Sequence, residues 1–200
     1  MSEKTNSHLG NMDINALVEK ITSYKKSPVL VAIDGRCGAG KTTLADSLQN
    51  ASGGNIFRMD DFFLQPHQRT PERYATPGGN VDIERFTSEV LTPLLENRSF
   101  SYSPFNCATM EMGAPVLVTP HTINIVEGCY SCLPSLAGFY SYKIFLTVDP
   151  AEQMRRILKR NGEEKALQFK EKWIPLEELY FKTFDIEKLC DVVLDNSTVW

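Results

Sequence analysis

No apolar run in this 200-residue chain approaches the ~18–20 residues that a membrane-spanning helix requires. The first residues, Met1 to Asn11, are polar and lack the apolar stretch of a secretory leader. Positive charge is not in excess either: 21 Lys and Arg stand against 25 Asp and Glu, a formal net charge of -4. A nucleic-acid binder normally shows the opposite sign, so no nucleic-acid partner is expected. The five cysteines, an odd number without a leader, read as reduced thiols in the cytoplasm. One C-x-x-C is present, Cys129 to Cys132, but no second cysteine pair accompanies it. The histidines are only His8, His67 and His121, so the four ligands of a structural zinc site are missing and the pair reads as structural.

What is present is ordinary globular composition, 42% hydrophobic and 23% charged, which excludes wholesale disorder. Met1 to Gly10 reads as a frayed arm. From Asp13 to Lys26, Ile14, Leu17, Val18 and Ile21 fall on one face of a helix that Asn11 or Asp13 could cap. Pro28 ends it. Val29 to Ile33 is then an unbroken apolar run, the mark of a strand buried on both faces. Similar runs recur at Ile56-Phe57 with Met59, at Ile123 to Val126, at Ile144 to Val148 and at Val192 to Leu194. Helical patterns lie between them at Thr42 to Asn50, Asp82 to Glu96, Pro150 to Lys159 and onward to about Phe181. Strands alternating with helices predict an α/β three-layer fold with a mainly parallel central sheet. Residues 1–26 read as an arm and helix packed on a single domain spanning 27–200.

Directly after the first apolar run stands Gly35-Arg36-Cys37-Gly38-Ala39-Gly40-Lys41-Thr42-Thr43. It fits G-x-x-x-x-G-K-[ST] at every fixed position, between a predicted strand and a predicted helix. Glycines let backbone N–H groups approach phosphate oxygens, and the helix start adds its positive dipole end. Lys41 would span the β- and γ-phosphates and the Thr42 hydroxyl would ligate Mg²⁺. The segment therefore implies a bound nucleoside triphosphate, with ATP and Mg²⁺ as cofactors. No N-K-x-D base-reading motif and no LSGGQ-type signature accompanies it. A compact phosphotransferase or a nucleotide-binding regulator remains.

Met59-Asp60-Asp61-Phe62-Phe63 follows the second strand, on the sheet edge that carries the cradle. Ligands of open parallel sheets bind beyond the carboxyl ends of strands. Asp60 is thus placed to accept the proton of an attacking hydroxyl and to help hold Mg²⁺ through water; the alternative is a loop cap. Glu127 ends the run Ile123 to Val126 and is the second metal candidate, or else a solvated strand end. Arg156, Lys159 and Arg160 share one helix face, which reads either as a phosphate-closing lid or as a solvated surface. The turn-rich stretch 65–79, with His67, Arg69, Arg73 and Tyr74, is either a substrate loop with cationic contacts or an exposed excursion.

From Pro28 onward these features resemble the uridine kinase-like family of P-loop phosphotransferases, a group that includes nicotinamide riboside kinases, phosphoribulokinases and bacterial pantothenate kinases. The resemblance is carried by Ala32-Ile33-Asp34-Gly35, Met59 to Phe63, Gly79-Asn80-Val81-Asp82 and Ile125-Val126-Glu127-Gly128. The lid Arg155 to Gly162 and the ending Cys190 to Asp195 are similar too. It implies Asp60 as the base, Thr42 and Glu127 around magnesium, and Asp82 on sugar hydroxyls. It implies further that Phe63 and Tyr102 flank the acceptor, while Arg156 and Arg160 close on the phosphates. Two departures stand out: Cys107 occupies the apparent position of a base-reading histidine, and Ile83-Glu84-Arg85-Phe86 lacks the usual His-Pro. The expectation is an ATP-dependent kinase acting on a primary hydroxyl of a small molecule, most plausibly a nucleoside, without strict pyrimidine selection. A non-catalytic regulator, or a kinase of another alcohol such as pantothenate, is the alternative. Oligomeric state is left open, a homo-oligomer included.

Overall fold

The computed structural model describes residues 6–8, 13–24 and 27–197. Strand β1 (Asn6–His8) is followed by α1 (Ile14–Thr22), β2 (Val29–Gly35), α2 (Lys41–Ser52) and β3 (Asn55–Arg58). After a 3₁₀ turn at Met59–Phe62 come α3 (Pro71–Ala75), α4 (Ile83–Phe86), a π-helical turn (Thr87–Leu91) and α5 (Thr92–Leu95). Two small antiparallel ribbons follow, pairing β4 (Phe100–Tyr102) with β7 (Val116–Val118) and β5 (Phe105–Asn106) with β6 (Glu111–Met112). The chain then forms β8 (Ile123–Glu127), β9 (Tyr142–Thr147), α6 (Pro150–Asn161), α7 (Glu163–Gln168) and α8 (Ile174–Thr183). It finishes with α9 (Ile186–Leu189) and β10 (Val192–Asp195).

Six strands make one parallel sheet in the order β1-β10-β9-β2-β8-β3. All seven residues of β2 are buried, as its unbroken apolar run requires of a central strand. Leu30 and Ala32 face a core built with Phe86, Val90, Leu91 and Leu94, whereas Val31 and Ile33 face one built with Leu17, Ile21, Leu44 and Leu48. Each of those four buried residues on the α4–α5 segment contributes roughly 1.5–3 kcal/mol by leaving water. Helices thus cover both faces, and the three-layer P-loop NTPase fold is the observed one.

Two expectations are corrected. The arm Met1 to Gly10 was expected to be loose, yet Asn6–His8 pairs in register with Val193–Asp195 and extends the sheet; the rest of that arm lies outside the described residues. The first helix ends at Thr22 rather than Lys26, where the Thr22 and Ser23 hydroxyls bond back to carbonyls one turn earlier. Lys25 and Lys26 lie outside the described residues. Asp13 caps this helix, accepting from the Asn15 N–H at 2.9 Å.

The tip of β2 explains the Asp34-Gly35 pair. Gly35 has φ +131°, and a Cβ there would lie 2.0 Å from the Leu146 carbonyl oxygen of the neighbouring strand. Only glycine lets β9 run this close. The fully buried Asp34 carboxylate accepts from the N–H groups of Gly35, Tyr130 and Cys132 and from the Tyr180 hydroxyl. It ties the cradle's supporting strand to the turn after β8 and to α8.

Candidate active site

A cavity of about 890 Å³ opens at the carboxyl end of the sheet, lined by the cradle, the 3₁₀ turn after β3, the end of β8 and the lid helices. From the cradle it takes Cys37, Gly38, Gly40, Lys41, Thr42 and Thr43. Gly38 and Gly40 have φ of +75° and +96°, the left-handed geometry that folds the loop around the start of α2. The loop is braced from several sides. The Lys41 ammonium donates to the Gly35 and Arg36 carbonyls at 2.6 and 3.1 Å, and Asn196 Nδ2 donates to the Ala39 carbonyl at 2.8 Å.

Gly35, Arg36 and Ala39, expected among the nucleotide-binding residues, stand behind the cavity wall. Arg36 turns away, its Nε donating to Glu178 at 2.7 Å and its Nη1 to Thr147 at 2.8 Å, with the guanidinium over the Phe145 and Phe181 rings. Two buried aromatic faces and a carboxylate outcompete the cavity for that charge.

The lid meets the cradle directly. Arg156 donates to Glu152 at 2.6 Å, to the Gly38 carbonyl at 3.1 Å and to the Asn196 carbonyl at 2.7 Å, so it braces the loop as well as lining the cavity. Arg160 also lines the cavity, its Nε on Asn161 Oδ1. Lys159, on the same expected face, is exposed and outside the cavity wall. From α8, Glu177 accepts the Cys37 N–H at 3.0 Å. Burial holds the Glu177 carboxyl above its usual range, with Lys41 pulling the other way. Burial likewise pushes the Cys37 thiol up to about 12. Cys129 is raised for the same reason, and Cys132 faces Cys190 at 3.8 Å rather than its motif partner. Both thiols of the C-x-x-C are thus held protonated, Cys129 at the cavity wall and Cys132 in the core.

The expected metal residues come together. Thr42 Oγ1 donates to Glu127 Oε1 at 3.3 Å, and Asp60 lines the same cavity. Glu127 also accepts from Arg58 Nη1 at 2.7 Å. Burial raises the Glu127 carboxyl, and this arginine draws it back. A hydroxyl with carboxylates is an all-oxygen donor set, which suits a hard cation such as Mg²⁺. Among the described residues no group of three or more His, Cys, Asp or Glu could hold a metal ion alone, so magnesium here would need phosphate oxygens or water as further ligands.

Buried Met59 and Phe62 anchor the turn after β3 and set its two aspartates apart. Asp60 is exposed in the cavity, whereas Asp61 takes the Tyr102 hydroxyl at 3.3 Å and its backbone carbonyl accepts from Arg85 at 2.6 Å. Phe63 lines the cavity as expected. Tyr102 does not: its ring packs 5.4 Å from Phe62 and 6.0 Å from Phe57 in the core. Asp82 is also displaced from its expected role. It caps α4 through the Arg85 N–H at 3.0 Å, and its other oxygen accepts from Gln68 Nε2 at 2.7 Å. Both oxygens are thereby engaged, and the residue is outside the cavity wall.

Sequence reasoning missed Arg58, Glu177 and Asn196. Arg58 had a weak signal in its place immediately before Met59-Asp60. The other two had none, because nothing in their local pattern separates them from surface residues.

The sequence matches the AAA domain family model over residues 31–172. No curated protein matches the chain. Among solved structures, a possible uridine kinase from Bacillus stearothermophilus is 22% identical with a TM-score of 0.67, over 91% of this chain and 97% of that one. A candidate fructose transport system kinase from Silicibacter sp. TM1040 is 21% identical with a TM-score of 0.70, over 92% and 99%. YFH7 from Saccharomyces cerevisiae, a circularly permuted candidate P-loop kinase, is 12% identical with a TM-score of 0.62, over 94% and 100%. With a cradle that satisfies the phosphate-binding pattern and a family match over well more than half its length, the chain belongs to the AAA domain family of P-loop nucleotide-binding proteins.

Proposed function

We propose that this protein is an ATP- and Mg²⁺-dependent kinase that phosphorylates a hydroxyl group of a small metabolite. The observation that carries the reading is Asp60: an exposed carboxylate in the same cavity as Lys41 and the Thr42–Glu127 pair. A regulator that only senses nucleotide has no use for a base at that point.

Thr42 and Glu127 would hold the metal, which when bound neutralises phosphate charge. Lys41 leaves its carbonyl contacts to reach the phosphates, and the α2 N-terminus adds its dipole. Asp60 accepts the proton of the acceptor hydroxyl as its oxygen bonds to the γ-phosphorus. The bond from that phosphorus to the β,γ-bridging oxygen breaks, releasing ADP and a phosphate monoester. Positioning and electrostatics supply the rate, since no covalent intermediate is needed.

The nucleoside acceptor that the resemblance implies has less support than the chemistry. Asp82 and Tyr102 are engaged elsewhere, and the thiol of Cys107 is a poor hydrogen-bond partner for a base. Coupled ADP release, measured with a panel of nucleosides, sugars and hydroxy acids, tests the reading. ADP should form only with an acceptor present, and Lys41→Ala should abolish it. Tight ATP binding with no ADP formed on any acceptor would favour the regulator.

A further inference from the structure

The stretch 65–79 carries two arginines and spends them differently. Gln65 and Gln68 bond each other's backbone N–H groups, and Gln68 also reaches Asp82, so the stretch is an ordered wall. Arg73 is its strut: Nε donates to the Gly79 carbonyl, Nη2 to the Val81 carbonyl, and Nη1 and Nη2 to Glu84 at 3.0 and 2.9 Å. Arg69 instead lines the cavity. Among the described residues its guanidinium meets the Leu64 carbonyl at 2.8 Å, the Cys107 sulfur at 3.5 Å and the Phe105 ring at 5.8 Å, and no carboxylate.

A guanidinium has five N–H donors, so three remain after these two bonds, including both on Nη1. One of the two bonds is to a thiol, a weak acceptor. The other cations of the cavity differ: Lys41 is bonded to cradle carbonyls, Arg156 to Glu152, and Arg160 stands on the lid. The bond to Leu64 fixes Arg69 beside the Asp60–Leu64 segment of the cavity wall. A partly desolvated cation without a counter-charge is unfavourable until a ligand brings one, and the guanidinium fork matches a carboxylate or phosphate in two parallel bonds.

We propose that Arg69 determines acceptor specificity, and that the acceptor is an alcohol bearing an anionic group, a carboxylate or a phosphate monoester, gripped by Arg69 while its hydroxyl faces Asp60. The proposal rests on the kinase reading, which makes this end of the cavity the acceptor end.

Two measurements separate the claims. Calorimetry on protein saturated with Mg-ADP measures the Kd of inorganic phosphate, of glycerate and of neutral glycerol for wild type, Arg69→Gln and Arg69→Lys. At least one anion should bind wild type; Arg69→Gln should weaken it tenfold or more, with Arg69→Lys between and thermal midpoints unchanged. Which anion binds identifies the group. Turnover is compared within matched pairs: pantothenate and panthenol, ribulose 5-phosphate and ribulose, glycerate and glycerol. The charged member of a pair should have kcat/KM at least tenfold higher, a preference that Arg69→Gln removes. Anions that do not bind wild type, or bind Arg69→Gln equally well, overturn the proposal, as does turnover confined to neutral alcohols. Anion binding that depends on Arg69 without ADP release on any acceptor supports the anion site and overturns the kinase reading.

Discussion

The two ends of the cavity are built on opposite plans. At the phosphate end the polar groups are committed to one another: Lys41 to cradle carbonyls, Arg156 to Glu152 and Gly38, and Glu177 to the Cys37 N–H. At the end proposed for the acceptor, Asp60 and Cys107 are exposed, and Arg69 keeps donors to spare. On the proposed reading this end meets the same triphosphate every time, so a loop braced by Arg156, Asn196 and Glu177 serves it, and only Lys41 exchanges its carbonyls for phosphate oxygens. The proposed acceptor end is instead built on a short 3₁₀ turn and an irregular wall, outside the central sheet.

The sharpest break in that comparison is at Asp60. Asp60→Asn keeps the shape and removes the base, so kcat should fall ~10²–10⁴-fold while ATP binding is retained. Asp61→Asn, in a carboxylate that supports Tyr102, should leave most of kcat. A larger loss at Asp61 would reverse the assignment of the two aspartates. The opposite result is expected behind the cradle. Gly35→Ala places a Cβ 2.0 Å from the Leu146 oxygen, and should destabilise the fold by ~3 kcal/mol or more. Denaturant unfolding midpoints measure this, and an unchanged midpoint would mean that β9 gives way cheaply.

Smaller effects test the corrected residues. Tyr102→Phe should cost ~1 kcal/mol through the lost bond to Asp61, with acceptor KM unchanged. A raised KM would put Tyr102 back beside the acceptor. The smallest effect concerns the wall strut. Arg73 bonds the Glu84 carboxyl and holds its pKa at about 2 against burial. A carboxyl lowered on folding stabilises above its unfolded value near 4.5, and that contribution is lost as pH falls towards 2. Glu84 is 70% exposed, so solvent screening leaves under ~1 kcal/mol. Glu84→Gln should therefore destabilise at pH 7, with the gap narrowing below pH 4.5 and closing on wild type only near pH 2. A gap that persists there would mean packing, and not charge, holds the wall.

Particular elements show why some features were legible and others were not. Val29 to Ile33 announces a central strand because burial on both faces leaves no polar alternation. Phe86, Val90, Leu91 and Leu94 lie on one face in sequence and in the structure, even though a π-helical turn interrupts the helix. The paired ribbons from Phe100 to Val118 are not legible in the sequence, since strands of two or three residues carry too little alternation. Tyr102 carries a polar tip on an apolar ring, and its sequence neighbours cannot say that Phe57 and Phe62 will claim the ring.

By itself the sequence determined the alternation of β2, β3, β8, β9 and β10 with helices, the cradle from Gly35 to Thr43, and the acidic turn after β3. These are local properties, set by periodicity and by backbone conformations that particular residues permit. Tertiary structure alone decided which way the polar side chains turn. Glu177 reaches the Cys37 N–H across 140 residues, Arg36 is drawn to Glu178, and Asp82 is consumed by Gln68 and the start of α4. The physical reason is the same in each case. A polar side chain goes where partners are gathered, and those partners come from segments that only the packed sheet and its covering helices bring together.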